Sequence, residues 1–166
     1  MAGDVAIVEV LVNPSAQDSG REWIEIASLA RDRLDLSELH LADAVMEVAV
    51  PAGTIEAGAR VVLAQSADPA RNGGVSGGFE YGTRLALNND GEQLTLCRGA
   101  CAEGVVVARL AWGNLGAAYD GHALVVDPAS QAQCPAEVRF GTAGDYGTPG
   151  GPNPTCPSGG ADSGAD

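Results

Sequence analysis

The chain has 166 residues, 22 acidic and nine basic side chains, and a net charge of −13. Its apolar content of 45% is typical of a globular protein rather than a disordered one. All nine basic residues are Arg, and such an acidic field repels phosphate backbones and anionic lipid surfaces. We therefore expect no nucleic-acid binding. No apolar run approaches the roughly 20 residues of a membrane helix, so we expect no membrane insertion by this fragment either.

Apolar and polar residues alternate along most of the chain, which is typical of β-strands. The first run, "VAIVEVLV", carries Glu9 on one face, and the alternation predicts an apolar face formed by Ala6, Val8, Val10 and Val12. The second, "EWIEIAS", alternates two isoleucines against Trp23 and Glu25. Trp23 supplies one of the few large rings in an aromatic-poor chain. Glu25 either faces solvent or accepts backbone N–H bonds from a neighbouring loop, which would be a structural role.

Residues 28–44 fit either a helix or two strands around a turn at Ser37. "NNDG", residues 88–91, predicts a hairpin between "LAL" and "EQLTL", because Asn, Asp and Gly tolerate positive φ. Further β-rich runs cover residues 46–50, 60–65, 92–97, 105–112 and 122–126. Many short strands at this spacing predict an antiparallel sandwich or barrel.

Six pieces in this order resemble a bacterial lamin-tail domain: "VAIVEVLVNPS", "REWIEIAS", "LDLSELHLADA", "VAVPAGTIEAGARVVLAQS", "LALNNDGEQLTL" and "GTPGGPN". The resemblance implies an all-β, immunoglobulin-like antiparallel β-sandwich in a single domain, without a catalytic motif. It also implies that certain residues are framework positions: Glu9, Trp23, Glu25, Pro51, Gly53, Gly58, Asn89, Asp90 and Gly91. The chain departs from the family pattern at Val8, and at Glu38 and Leu39.

Four cysteines allow three pairings. Cys97 and Cys101 enclose a short turn, and their spacing does not suit a zinc knuckle. We predict Cys97–Cys101 and Cys134–Cys156 disulfides, which implies an oxidising compartment. The second bridge would close over "DYGTPGGPNPTC", residues 145–156, as the ordered exit of the domain. We expect the domain to cover residues 1–157 and residues 158–166 to be a flexible acidic linker.

The candidates for chemistry are few. "GVSGG", residues 74–78, matches the pattern of a hydrolase nucleophile, but Ser76 lacks the strand-to-helix turn that the motif requires. His40 and His122 lack the spacing of a transition-metal site. We expect no enzyme activity and no cofactor. For Ca²⁺, "NNDGE" is the closest oxygen-rich stretch, and weak binding to the acidic surface is the one cation interaction that the charge favours.

These features together predict a non-catalytic interaction or scaffolding module of a larger secreted or cell-surface protein. Its partner would be another protein or a neighbouring domain of the same chain. We expect an extracellular or cell-surface location, with the export signal outside this fragment because no basic n-region follows Met1. The alternative is a carbohydrate-binding accessory module of a secreted hydrolase, which the scarcity of aromatic residues disfavours.

Overall fold

The computed structural model describes residues 3–15, 20–76 and 78–157, and it folds them into short β-strands. A single 3₁₀ turn, Ala117–Tyr119, is the one helical element in that part of the chain. The strands are β1 (Val5–Leu11), β2 (Trp23–Ser28), β3 (Leu34–Asp35), β4 (Leu39–Ala42), β5 (Glu47–Ala49), β6 (Thr54–Ile55), β7 (Arg60–Ala64), β8 (Phe79–Glu80), β9 (Glu92–Arg98), β10 (Val105–Trp112), β11 (Leu124–Val126) and β12 (Gln133–Pro135). The predicted all-β class is confirmed. The predicted linker, residues 158–166, lies outside the described residues.

Two larger sheets form an immunoglobulin-like β-sandwich. One has six strands in the order β12-β11-β1-β2-β7-β8, and the other has four in the order β10-β9-β4-β5. Strands β3 and β6 form a small separate pair. Neighbouring strands are antiparallel except β7 and β8, which run parallel. The prediction of a sandwich is therefore confirmed, with this one parallel pair as an exception to its antiparallel pairing.

The main core is aliphatic and lies between the two larger sheets. Ile24 and Ile26 from β2 face it, as the alternation predicts, and Leu94 and Leu96 from β9 meet them from the other sheet. All four side chains are essentially inaccessible to solvent. Burying aliphatic side chains of this size stabilises the fold by roughly 1.5–3 kcal/mol each.

A second apolar cluster lies on the outer face of the six-stranded sheet, with Trp23 at its centre. The Trp23 ring packs edge-to-face against Phe140, with ring centroids 5.8 Å apart. The buried members of the cluster are Leu11, Trp23, Val62, Ala64, Val75, Ala123, Val125, Ala136 and Cys156. Residues 145–156, which we call the strap, supply Cys156 and the partly buried Tyr146 to this cluster. A second layer therefore covers one sheet on the side away from the main core.

The simple alternation predicted for β1 is wrong, because this strand contains a β-bulge. Ile7 pairs with Ile26 but the next registered residue is Glu9, so Val8 is the extra residue. The bulge shifts the phase of the alternation, and Ile7 rather than Ala6 or Val8 joins Val10 in the main core. Glu9 keeps its predicted place on the opposite face.

The predicted hairpin around residues 88–91 is also wrong in part. The turn forms, but residues 85–87 are not a strand, and β9 pairs instead with β10 and β4. Leu85 and Leu87 are buried in the main core. The Leu87 N–H donates to the Glu22 carboxylate at 2.8 Å rather than to a neighbouring strand. In residues 28–44 the two-strand alternative is the right one, with a turn in which Ser37 N–H donates to Asp35.

Candidate functional site

Two carboxylates lie side by side beneath the strap. Glu9 and Glu25 are direct partners in the β1–β2 register and share the outer face of the six-stranded sheet. Neither residue has any solvent-exposed surface. Like charges directly opposite each other on neighbouring strands are destabilising, so this arrangement requires donors to compensate it.

The strap supplies those donors. The Thr148 N–H donates to Glu9 Oε1 and the Thr148 hydroxyl to Glu9 Oε2, both at 2.9 Å. The Gly150 N–H donates to Glu25 Oε1 at 2.6 Å. Of the two roles considered for Glu25, the structure therefore has the second: it fixes a loop through a backbone N–H. This role was not predicted for Glu9 from the sequence. The signal that could have indicated it is that Glu9, like Glu25, is an acidic residue within an apolar strand.

Arg60 and Asn153 complete the cluster. Arg60 Nη1 donates to Glu25 Oε2 and to Asn153 Oδ1, each at 3.0 Å. Asn153 Nδ2 donates to the carbonyl of Val8 at 2.6 Å. Val8 is the bulged residue of β1 and has no partner in the β1–β2 register, so its carbonyl accepts a hydrogen bond from the strap. No role was predicted for Arg60 or Asn153, although both lie in pieces that carry the family resemblance.

Burial dominates the electrostatics of this site. Desolvation raises the pKa of Glu9 to about 7; the hydrogen bonds from Thr148 oppose it, the Glu25 charge adds to it, and Arg60 lowers it. Desolvation also raises the pKa of Glu25, against the hydrogen bonds from Gly150 and Arg60. Such shifts often mark general acids and bases. Here both carboxyl groups are covered and bonded, so no substrate can reach them in this arrangement.

Both ends of the strap are fixed. At its start, Asp145 Oδ2 accepts from Arg21 Nη2 at 2.9 Å and Asp145 Oδ1 accepts from the Ser15 N–H at 2.7 Å. At its end, the predicted Cys134–Cys156 disulfide is present. Between them the chain passes so close to the cluster that a Cβ on Gly147 would lie 2.9 Å from the Trp23 ring. Only glycine fits there without displacing the strap.

The other predicted disulfide, Cys97–Cys101, closes a short loop beside β4 and β5. The Cys101 N–H donates to Glu47 Oε2 at 3.1 Å. Glu47 Oε1 lies 2.7 Å from His40 Nδ1, and both side chains are about one-third exposed. His40 thus belongs to a surface contact with Glu47.

A further buried carboxylate, Glu22, was not predicted. Its Oε2 accepts from Gln65 Nε2 at 2.6 Å and from the Leu87 N–H at 2.8 Å, while Gln65 Oε1 accepts from the Gly20 N–H at 2.8 Å. This network joins β2, β7 and residues 85–87. Its role is structural.

The framework positions of the turn, Asn89, Asp90 and Gly91, lie at one end of the sandwich. Gly91 has a φ of 129°, which only glycine adopts readily, and it sits close to the Trp112 carbonyl. The Asn89 carbonyl accepts from the Leu115 N–H at 3.1 Å. Asp90 Oδ1 accepts from Asn114 Nδ2 at 2.9 Å. These contacts join the turn to the segment after β10.

The same residues border a polar cavity of about 180 Å³, whose lining includes Asn13, Asn89, Asp90, Asn114 and Asp120. In the described parts of the chain no group of three or more His, Cys, Asp or Glu residues could hold a metal ion. Weak Ca²⁺ binding stays a prediction.

The residues considered for catalysis are not brought together as a triad. Ser76 is exposed in a loop, and the next described element after it is the strand β8. His122 Nδ1 lies 2.7 Å from the Ala136 carbonyl, and the ring stacks on Tyr146 at 4.2 Å. His40 contacts Glu47 instead. The nucleophile pattern of residues 74–78 therefore lacks the context that its chemistry requires.

The family model of the Lamin Tail Domain matches residues 1–114. The matched part includes β1 to β10 and ends before β11, β12 and the strap. No curated protein matches the chain. No helix within the described ranges is long and apolar enough to cross a membrane.

Proposed function

Because this chain belongs to the lamin tail domain family, we propose that it serves as a non-catalytic interaction or scaffolding module of a larger secreted or cell-surface protein. The observation that carries the proposal is the use of Glu9 and Glu25. These buried carboxylates have the raised pKa values typical of catalytic groups. Their oxygens are engaged in holding the strap instead.

The two disulfides support an extracellular location, since such bridges persist in oxidising compartments. They close segments on both larger sheets, as in domains that must survive outside the cell. The acidic charge of −13 keeps such a module soluble and favours partners with basic surfaces.

A protein partner fits the surface better than a sugar does. Three of the seven aromatic residues, Trp23, Trp112 and Tyr81, are at most 7% exposed, and they cannot form a flat platform for a sugar ring. An apolar groove of about 440 Å³ lies between β12 and the end of the strap, where its lining includes Val138 and Pro154. Exposed apolar surface of this kind is more typical of contacts between proteins.

Carbodiimide cross-linking of the full-length protein in its native setting tests this proposal. Because this chain has no Lys, every cross-link from its carboxylates to a lysine must end in another domain or another protein. We expect such links from exposed acids such as Glu137, and none from the buried Glu9 and Glu25. Absence of any cross-link, together with binding to isolated cell-surface polysaccharide, would favour the carbohydrate-binding alternative. Labelling of Ser76 by a fluorophosphonate probe would contradict a non-catalytic role.

A further inference from the structure

The strap is anchored differently in its middle and at its two ends. Its start is held by the Arg21–Asp145 ion pair and its end by the Cys134–Cys156 bond. Its middle is held to the sheet by the carboxylates of Glu9 and Glu25 and by the Asn153 contact to the bulged strand. No strand includes this middle part, and its contacts with the sheet are made through Thr148, Gly150 and Asn153.

The charges beneath the middle part do not balance when both carboxylates are ionised. Within the described residues, Arg60 is the guanidinium that contacts the pair, and its hydrogen bond goes to Glu25. Two ionised carboxylates and one guanidinium leave one uncompensated negative charge in a place without solvent contact. A proton on Glu9 removes that charge.

We propose that the middle of the strap is a proton-controlled latch, closed when Glu9 carries a proton and opened when Glu9 and Glu25 are both ionised. In the closed state the Thr148 N–H still donates to Glu9 Oε1. The Thr148 hydroxyl, which donates to Oε2 when the carboxylate is ionised, instead accepts a hydrogen bond from the protonated Oε2. The same hydroxyl donates a hydrogen bond to Asn153 Oδ1, 3.3 Å away. In the open state the strap moves off the sheet and water solvates the Glu9 carboxylate.

Four elements pack against Glu9, and two of them bring a charged group to it. β2 presents Glu25, β7 presents Arg60, β11 presents Val125 and the strap presents Thr148. Desolvation raises the pKa of Glu9 to about 7, and the Glu25 charge acts in the same direction. The proton is therefore exchanged near neutral pH.

The direction of the response follows from linkage. A closed state whose carboxyl group has a raised pKa holds its proton more tightly than the open state does, so opening becomes more favourable as the pH rises from 4.5 towards 7. With those two pKa values, the opening equilibrium constant increases roughly 25-fold between pH 5.5 and pH 8.

Amide hydrogen exchange by NMR tests the latch, with rates corrected for intrinsic exchange. We expect protection of the Thr148 and Gly150 amides to fall about 25-fold from pH 5.5 to pH 8. Amides within β2 and β7 should change much less, because the latch opens locally. Glu9→Gln should abolish the pH dependence. The matched control Glu47→Gln, which also removes a carboxylate that accepts a backbone N–H, should retain it.

Equal protection of Thr148 and Gly150 at the two pH values would overturn the proposal. So would a loss of protection shared equally by the amides of β2 and β7, since that pattern reports global unfolding. If Glu9→Gln does not fold, a ¹³C titration of the Glu9 carboxyl in the unmodified protein decides instead. A titration midpoint near 7 that coincides with the loss of protection supports the latch, and a midpoint below 5.5 contradicts it.

Discussion

Each larger sheet carries a disulfide-closed segment on its outer side, and the two segments are held in different ways. The strap is tied to β1 and β2 by contacts between residues more than 120 positions apart, and it covers carboxylates without solvent exposure. The loop of residues 97–101 is closed by a bridge between residues four positions apart, and Glu47, the carboxylate that accepts its Cys101 N–H, is one-third exposed.

The difference shows how the setting of a carboxylate decides its effect. Glu47 accepts a backbone N–H, as Glu9 and Glu25 do, but water already solvates it and little depends on the loop above it. The closed strap excludes water from Glu9 and Glu25, and in its place Thr148 donates to Glu9 and Gly150 donates to Glu25. The stability of the six-stranded sheet therefore depends on the strap. The stability of the four-stranded sheet depends little on the loop of residues 97–101.

Removal of the strap should have the largest effect. A chain ending at residue 144 removes the Thr148 donors of Glu9 and the Gly150 donor of Glu25, leaves Arg21 without Asp145, and uncovers Trp23. We expect a loss of about 5 kcal/mol in the free energy of unfolding, measured by urea denaturation followed by circular dichroism. A chain ending at residue 157 is the control and should match the full chain. Equal stability of the two truncations would show that the strap is not required.

The second-largest effect concerns pH: stability should depend on pH through the carboxylates beneath the strap, but not through Glu47 beside the loop. Because the pKa of Glu9 is raised from 4.5 to about 7, its contribution to stability is complete below pH 4.5 and is lost as the pH rises through 7. The loss is at most about 3 kcal/mol. Glu9→Gln should flatten the urea-denaturation profile between pH 5 and 8, whereas Glu47→Gln should not. If the free energy of unfolding of the unmodified protein rises between pH 5 and 8, the raised pKa of Glu9 is contradicted.

The two disulfides should differ by about 1.5 kcal/mol. Closing a loop of 22 residues contributes about 3.4 kcal/mol in the chain-entropy picture, and closing a loop of four contributes about 1.9 kcal/mol. Paired alanine substitutions at Cys134 and Cys156 should therefore destabilise more than those at Cys97 and Cys101. Thiol counting under denaturing conditions is the accompanying measurement, and four reactive thiols in protein made under oxidising conditions would contradict both bridges.

The smallest effect is expected at the surface contact on the loop side. His40→Ala should change the free energy of unfolding by about 0.5 kcal/mol or less, because exposed ion pairs contribute little. Thermal unfolding of the variant checks this. A loss comparable to that of Glu9→Gln would mean that the loop is as strongly coupled to its sheet as the strap is.

Local sequence patterns predicted most of the fold. Alternation placed Ile24 and Ile26 in the core and Glu25 on the outer face, because the pleat of a strand fixes the direction of every side chain. The pattern failed at Val8, since a bulge changes the phase and leaves no local signature in "VAIVEVLV". It failed again at Leu87, whose N–H bonds to Glu22, a residue 65 positions earlier.

Of the candidate site, only the residues on the strands could be predicted from the sequence, and those in the strap could not. Glu9 and Glu25 stand out as acidic residues within apolar runs, and their faces follow from strand geometry. Which donors meet them depends on where a glycine- and proline-rich stretch returns to the sheet, and no periodicity encodes that path. Thr148 and Asn153 therefore became visible only once the strap was placed on the bulged strand.

The position of Trp23 gives the protein a built-in optical reporter. Its indole lies beneath Gly147 and against Phe140 without solvent contact, whereas the chain's other tryptophan, Trp112, belongs to the main core between the sheets. Movement of the strap changes the surroundings of the first indole and leaves those of the second intact. Emission from the two rings thus separates motion at the outer face from melting of the interior, without an added dye.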